Sequence, residues 1–208
     1  MRTQVRWIVM AALALAVPLG STASAITTTT VSSGQSNDIN AQWTFPDTVT
    51  CTAGTFPVDT FISIGSTQQT IKSGGTTTTT NRVDLFVGNF TPCGSFFEFK
   101  SFFDTGTATN AGLNTASLSG HFVFDDGYFV DLNLTFSGTD SITQGNTMNR
   151  TRFPGFMMLT RNNGSSRTAS IGGSINANGN VVSASSFIDP DAMLFINKSG
   201  QKTIMRLN

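Results

Sequence analysis

The chain has one histidine and one tyrosine, and both fall within residues 120–132, GHFVFDDGYFVDL, alongside Asp125, Asp126 and Asp131. A histidine held by an aspartate is the acid–base half of a catalytic triad: the acid orients the imidazole, which takes a proton from a hydroxyl. Carboxylates grouped at a turn are also the raw material of a calcium site, which needs about six to eight oxygens from a shaped loop. Which chemistry is open depends on what the backbone brings together.

Strand side chains alternate between two sides. Ala116, Leu118, Gly120, Phe122 and Phe124 therefore share one face, and Tyr128, Val130, Leu132, Leu134 and Phe136 share a face of the next run. A two-residue loop would set Phe122 against Asp131 and Leu118 against Thr135. A three-residue loop, Asp125-Asp126-Gly127, sets Phe124 against Tyr128, Phe122 against Val130 and Leu118 against Leu134. Register follows the buried face, so the longer loop is expected, with Gly127 in the left-handed position of a type I turn with a G1 bulge. The same register puts His121 opposite Asp131 on the polar face, beside Ser117, Ser119, Asn133 and Thr135. A pair so placed reads first as an exposed cross-strand contact worth less than about 1 kcal/mol. Triad histidines sit in clefts among loops rather than in mid-strand. A secreted hydrolase using His121 and Asp131 is therefore the alternative reading.

Other catalytic kits are thin. Asp125-Asp126-Gly127 and Asp189-Pro190-Asp191 lack a sustained D-x-D-x-D pattern, and with Asp104 they read as turn residues. Glycoside hydrolysis needs two carboxyl groups across a cleft. The one glutamate, Glu98, shares a strand face with Lys100, where an ordinary ion pair is expected. There is no G-x-S-x-G elbow, and one histidine with two cysteines cannot build the usual zinc sites. Neither a metal nor a cofactor is expected, and the chain reads as a non-enzyme ahead of an enzyme.

The elements that must position these residues are strands. Past residue 25 no helical spacing of apolar residues occurs, whereas alternation rich in Thr, Val, Ile and Phe recurs between Gly-containing turn signals. Short strands are expected at 42–45, 48–52, 58–64, 67–72, 76–87, 95–103, 115–124 and 128–137. Gly74-Gly75, Pro154-Gly155, Asn163-Gly164, Asn178-Gly179 and Ser199-Gly200 mark turns, the last between 193–198 and 201–207. The Asn178-Gly179 hairpin should pair Ile175 with Val182 and Gly173 with Ala184. About ten or more short strands in one domain predict an antiparallel β-sandwich, jelly-roll or immunoglobulin-like, with a β-barrel as alternative. Phe96, Phe97, Phe99, Phe102 and Phe103 crowd one strand and are expected as core. Their alternation would bury that strand on both sides, or leave one side for an apolar pocket or interface. Thr76, Thr78 and Thr80 share a face and are a weak candidate for a hydroxyl-rich ligand, with a hydrated edge strand as the plainer reading. Sequons at Asn89, Asn133, Asn149, Asn163 and Asn197 matter only in a host that glycosylates.

The first residues give the destination. Arg2 and Arg6 precede an apolar run too short to span a bilayer, and Ala23-Ser24-Ala25 follows. Residues 1–25 are thus expected as a signal peptide cleaved after Ala25, residues 26–40 as a flexible Thr/Ser-rich arm, and 41–208 as a single all-β domain. Cys51 and Cys93 are expected to pair, as in an oxidising compartment. Closing that loop would contribute about 4 kcal/mol on the chain-entropy model. Residues 26–208 hold ten Lys/Arg and twelve Asp/Glu, a net charge of −2, which argues against nucleic acid as a partner. Only 12% of the chain is charged, below the usual quarter or so. The leading reading is a secreted, non-enzymatic binding or structural module for a carbohydrate or protein ligand. A membrane-active β-barrel or pore-former is the further alternative, disfavoured by the short runs near the C-terminus, and no stable membrane span is expected.

Overall fold

A computed structural model describes residues 26–103 and 108–207. The expected signal peptide and Asp104 lie outside the described residues. Eleven strands form an open antiparallel sheet whose main path runs β4-β3-β2-β1-β11-β9-β7-β6-β5. They are β1 (Ile26–Cys51), β2 (Gly54–Ser73), β3 (Thr76–Thr91), β4 (Gly94–Phe103), β5 (Ala108–Ala111), β6 (Thr115–Val123), β7 (Phe129–Gly138), β8 (Thr143–Phe153), β9 (Phe156–Ala177), β10 (Asn180–Ser183) and β11 (Ile188–Leu207). The path ends at β4 and β5, so the barrel alternative is not what forms. No helix among the described residues is long and apolar enough to cross a membrane.

The fold is all-β and sandwich-like, and alternation builds its core. From one layer come Ile39, Ala41, Trp43 and Phe45 of β1, Ile62 and Ile64 of β2, Val83, Leu85 and Val87 of β3, and Ala192 and Leu194 of β11. The facing layer supplies Ala116, Leu118 and Phe122 of β6, four side chains of β7 from Val130 to Phe136, and Ile175 and Ala177 of β9. Phe187, just before β11, stacks on Trp43 with ring centroids 4.6 Å apart.

β9 joins the layers. It pairs with β11 through Thr168 and with β7 from Ala169 onward. Within the part paired with β7, Gly173 has φ +96°, and a Cβ there would run into the Asn133 carbonyl. Left-handed backbone with so close an approach admits little but glycine.

Several strands are far longer than expected. β1 has 26 residues, β9 has 22, and β2 and β11 have 20 each. Residues 26–40, expected as a flexible arm, are instead the first half of β1, paired with β11 from Ile26 and with β2 from Ser32. Asn163-Gly164 and Ser199-Gly200 are not turns; both lie within continuous strands. Asn163 pairs with Asn146 on one side and Lys198 on the other, and these ladders hold the dipeptide extended. Gly74-Gly75, Pro154-Gly155 and Asn178-Gly179 do turn the chain, with positive φ at both Gly74 and Gly75, at Gly155, and at both Asn178 and Gly179. Ile175 meets Val182 as expected, whereas pairing stops at Ser183 before Ala184 can meet Gly173. Asp189 and Pro190 form a bulge in β11, Asp189 at φ 48°.

The extra strand length forms a second region. Residues 26–37, 67–81, 143–166 and 196–207 pair side by side as β3-β2-β1-β11-β9-β8, and no described residue in them is buried. This part is a single-layer sheet continuing out of the sandwich.

Candidate functional site

The hairpin at 120–132 forms in the longer-loop register. His121 pairs with Asp131, Phe122 with Val130 and Leu118 with Leu134. The Phe124 amide donates to the Tyr128 carbonyl (2.8 Å), that of Gly127 donates to the Phe124 carbonyl (3.1 Å), and Gly127 has φ +90°. His121 Nδ1 contacts Asp131 Oδ1, and Asn176 Nδ2 donates to the other carboxylate oxygen at 3.0 Å. The His121 ring also leans on Phe129, centroids 5.6 Å apart. Both members of the pair are well exposed on the outer face of the β6-β7-β9 layer.

A cavity of about 1020 Å³ lies instead at the end of the sandwich where Asp47, Asn89, Cys93, Tyr128 and Asn180 converge, and His121 is not among its walls. Cys51 and Cys93 stand here at disulfide distance, Cα atoms 6.1 Å apart, linking the tip of the β1–β2 hairpin to that of β3–β4. Asp47 anchors the polar side: it accepts from Thr60 Oγ1 at 3.0 Å and Asn180 Nδ2 at 2.9 Å, and Asn89 Nδ2 donates to Thr60 Oγ1 at 3.3 Å. Two buried wall atoms, Asn89 Oδ1 and Tyr128 Oη, make no hydrogen bond. Burial, with Asp47 and then Asp126 nearby, pushes the Tyr128 phenol up to about 12. It is a neutral donor and acceptor at ordinary pH.

An exposed apolar surface lies on the other side of the β4 layer. β4 packs Phe96 and Phe102 toward the core. Phe97, Phe99 and Phe103, expected as core, are instead 47%, 62% and 61% exposed, joined by Phe90 at 78%. The reason is topological: β4 ends the sheet and only one of its faces has a layer over it. Phe97 stacks on Phe86 at 6.0 Å, Phe86 meets Phe61 at 5.9 Å and Phe90 meets Phe97 at 5.0 Å. Gly88 lies beneath Phe97, and a Cβ there would enter the ring. Arg82 closes the row over Phe103, 5.4 Å from its centroid. Lys100 reaches Asp125 across the sandwich rather than Glu98. Glu98 makes no ion pair among the described residues.

Thr76, Thr78 and Thr80 are exposed on the same side of the sheet as this aromatic row. β4 stops opposite Arg82, so these threonines form the sheet's free edge beyond it. Among the described residues no group of His, Cys, Asp and Glu could hold a metal ion.

Alternation alone marked two faces on β4, but nothing in the sequence said which face lacked a covering layer. The cavity was missed because its walls come from four separate turns.

No family model matches the chain, and no curated protein does. Among solved structures, it is similar to the crystal structure of a provisional AttH from Nitrosomonas europaea, at 10% identity and a TM-score of 0.25 over 85% of this chain. This chain spans about half of that protein's length, 52%. Likeness that distant carries no argument about function.

Proposed function

We propose that the protein is a secreted, non-enzymatic structural and binding module that works through the free edge of β4 and its phenylalanine face, and that it binds a second copy of itself. An edge strand presents a row of unpaired N–H and C=O groups, a template for another strand. A contiguous exposed apolar patch beside it supplies burial.

The observation that carries the reading is the sequence of β4 about Phe99, FFEFKSFF from Phe96 to Phe103. Laid antiparallel on itself with Phe99 opposite Phe99, the strand sets Glu98 against Lys100 of the second copy, twice, and Phe96 against Phe102. Opposite charges directly across a strand pair attract and like charges repel, so Glu98 and Lys100 favour this register over its neighbours. The interface is isologous, as twofold dimers require.

Sedimentation of residues 26–208 tests it. The wild type should be a dimer at micromolar concentration, and Phe97→Ser/Phe99→Ser a monomer with unchanged far-ultraviolet dichroism. Glu98→Lys and Lys100→Glu should each weaken the dimer, and the two together should restore it. A wild type that stays monomeric, or a double charge swap that fails to rescue, overturns the reading.

A second reading rests on the cavity at the sandwich end, where Tyr128 Oη and Asn89 Oδ1 stand ready to bond a hydroxyl-bearing ligand such as a carbohydrate. Binding on a glycan array that is lost in Asn180→Ala would support it.

A further inference from the structure

The single-layer region carries seven of the ten Lys/Arg of residues 26–208 and none of the Asp/Glu. Register puts all seven on one face. Arg150 lies opposite Leu159, which lies opposite Lys202, and Arg152 lies opposite Met157, which lies opposite Ile204. Arg161 faces Met148 on one side and Gly200 on the other, and the ladder continues from Gly200 through Ser33 to Lys72. Lys198 and Arg206 share the parity of Lys202 along β11, so they project to the same side. All seven are exposed, and none makes an ion pair among the described residues. The opposite face of the same strands holds Thr, Ser, Asn, Gln and apolar residues and no charge at all.

This basic face is the continuation of the face that builds the core. Ile39 and Trp43 of β1 have the parity of Val31, and Leu194 of β11 has that of Lys198. Where the second layer ends, apolar side chains do not vanish; they alternate with cations. Met148 is 70% exposed and Val31 60%, with Met157, Leu159 and Ile204 between them.

We infer that this face seats on an anionic phospholipid surface. Clustered cations near such a surface contribute about 1 kcal/mol each, or about fivefold in affinity. Apolar side chains set among them enter the boundary between headgroups and acyl chains. Five rows on six strands cover about 25 Å in each direction, which suits an extended surface. A polyanion in solution uses the cations but has no use for the methionines and aliphatics. The face has no aromatic ring, which single-stranded nucleic acid would need for stacking. The protein lies on the membrane in this arrangement and does not span it.

The test is cosedimentation of residues 26–208 with vesicles of phosphatidylcholine alone and of equal parts phosphatidylglycerol and phosphatidylcholine. Binding is expected only to the second kind, weakening as salt is raised. Arg150→Gln/Arg152→Gln should weaken it about 25-fold. Met148→Ser/Leu159→Ser should remove the part that resists salt, and Thr147→Ala/Asn149→Ala, on the opposite face of the same sheet, should change nothing. Thermal unfolding of each variant checks that it folds. Equal binding to both vesicles, or full binding by the double arginine variant, overturns the inference. So does binding to heparin or duplex DNA without binding to vesicles, which would make the ligand a soluble polyanion.

Discussion

The sandwich and the single-layer sheet are built from the same strands and follow opposite rules. In the sandwich, alternate side chains of the inner strands are buried and mostly apolar, and among the described residues three Lys/Arg stand against eleven Asp/Glu, a net charge of −8. In the extension nothing is buried and the net charge is +7. The backbone ladder runs through both, so hydrogen bonding does not distinguish them. Burial does: the sandwich is held by apolar contact across layers, while the extension relies on neighbours within one layer. The near-neutral total averages two strongly charged halves. The argument from net charge against polyanionic partners therefore holds for the sandwich and fails for the extension.

The sharpest way to break that contrast is a pair of phenylalanines. Phe122→Ala, in the core, should cost about 3–5 kcal/mol in urea unfolding. Phe153→Ala, exposed at the end of β8, should cost less than about 1 kcal/mol. Equal losses would mean that the extension has a core of its own. Glycines give the next contrast. Gly173→Ala meets both a positive φ and the Asn133 carbonyl, and should cost about 1–3 kcal/mol. Gly145→Ala in β8 has open space around it and should fall within about 0.5 kcal/mol of wild type.

The third effect is a pH window. Tyr128 is the one tyrosine of the chain, so absorbance near 295 nm reads it alone. Its phenol is pushed up to about 12, from 10.0, by burial and then by Asp47 and Asp126. The unfolded chain gives up this proton first, so the stabilisation is whole below pH 10 and is lost as pH climbs toward 12. Tyr128→Phe should flatten that part of the stability profile, and a phenol titrating at its ordinary value in the folded protein would refute the burial. The smallest effect belongs to His121 and Asp131. A double-mutant cycle, with His121→Ala and Asp131→Ala measured singly and together, should give a coupling below about 1 kcal/mol. A markedly larger value would show a pair shielded from solvent.

What was legible in the sequence was local. The 120–132 hairpin could be placed residue for residue because a one-step slip would bury Asp131 against Phe122. Gly74-Gly75 and Asn178-Gly179 could be placed because their runs end where the dipeptides occur. Asn163-Gly164 misled for the opposite reason. Such a pair permits a turn without requiring one, and strands on both sides of β9 supply bonds that keep it straight. Phe97 and Phe99 went to the wrong environment because alternation assigns a side chain to a face and says nothing of what covers it. The basic face was invisible for a related reason: its seven cations come from four strands scattered along the chain, and only the register collects them.

Five strands, β1, β2, β3, β9 and β11, pass from one region to the other without a loop. There is accordingly no hinge between them. β1 alone, 26 residues long, would measure about 80 Å at the usual rise. Such a beam is stiff, because bending it strains several hydrogen-bonded ladders at once. A molecule resting on its basic end would hold the β4 edge at a set height and angle, as a bracket holds a shelf.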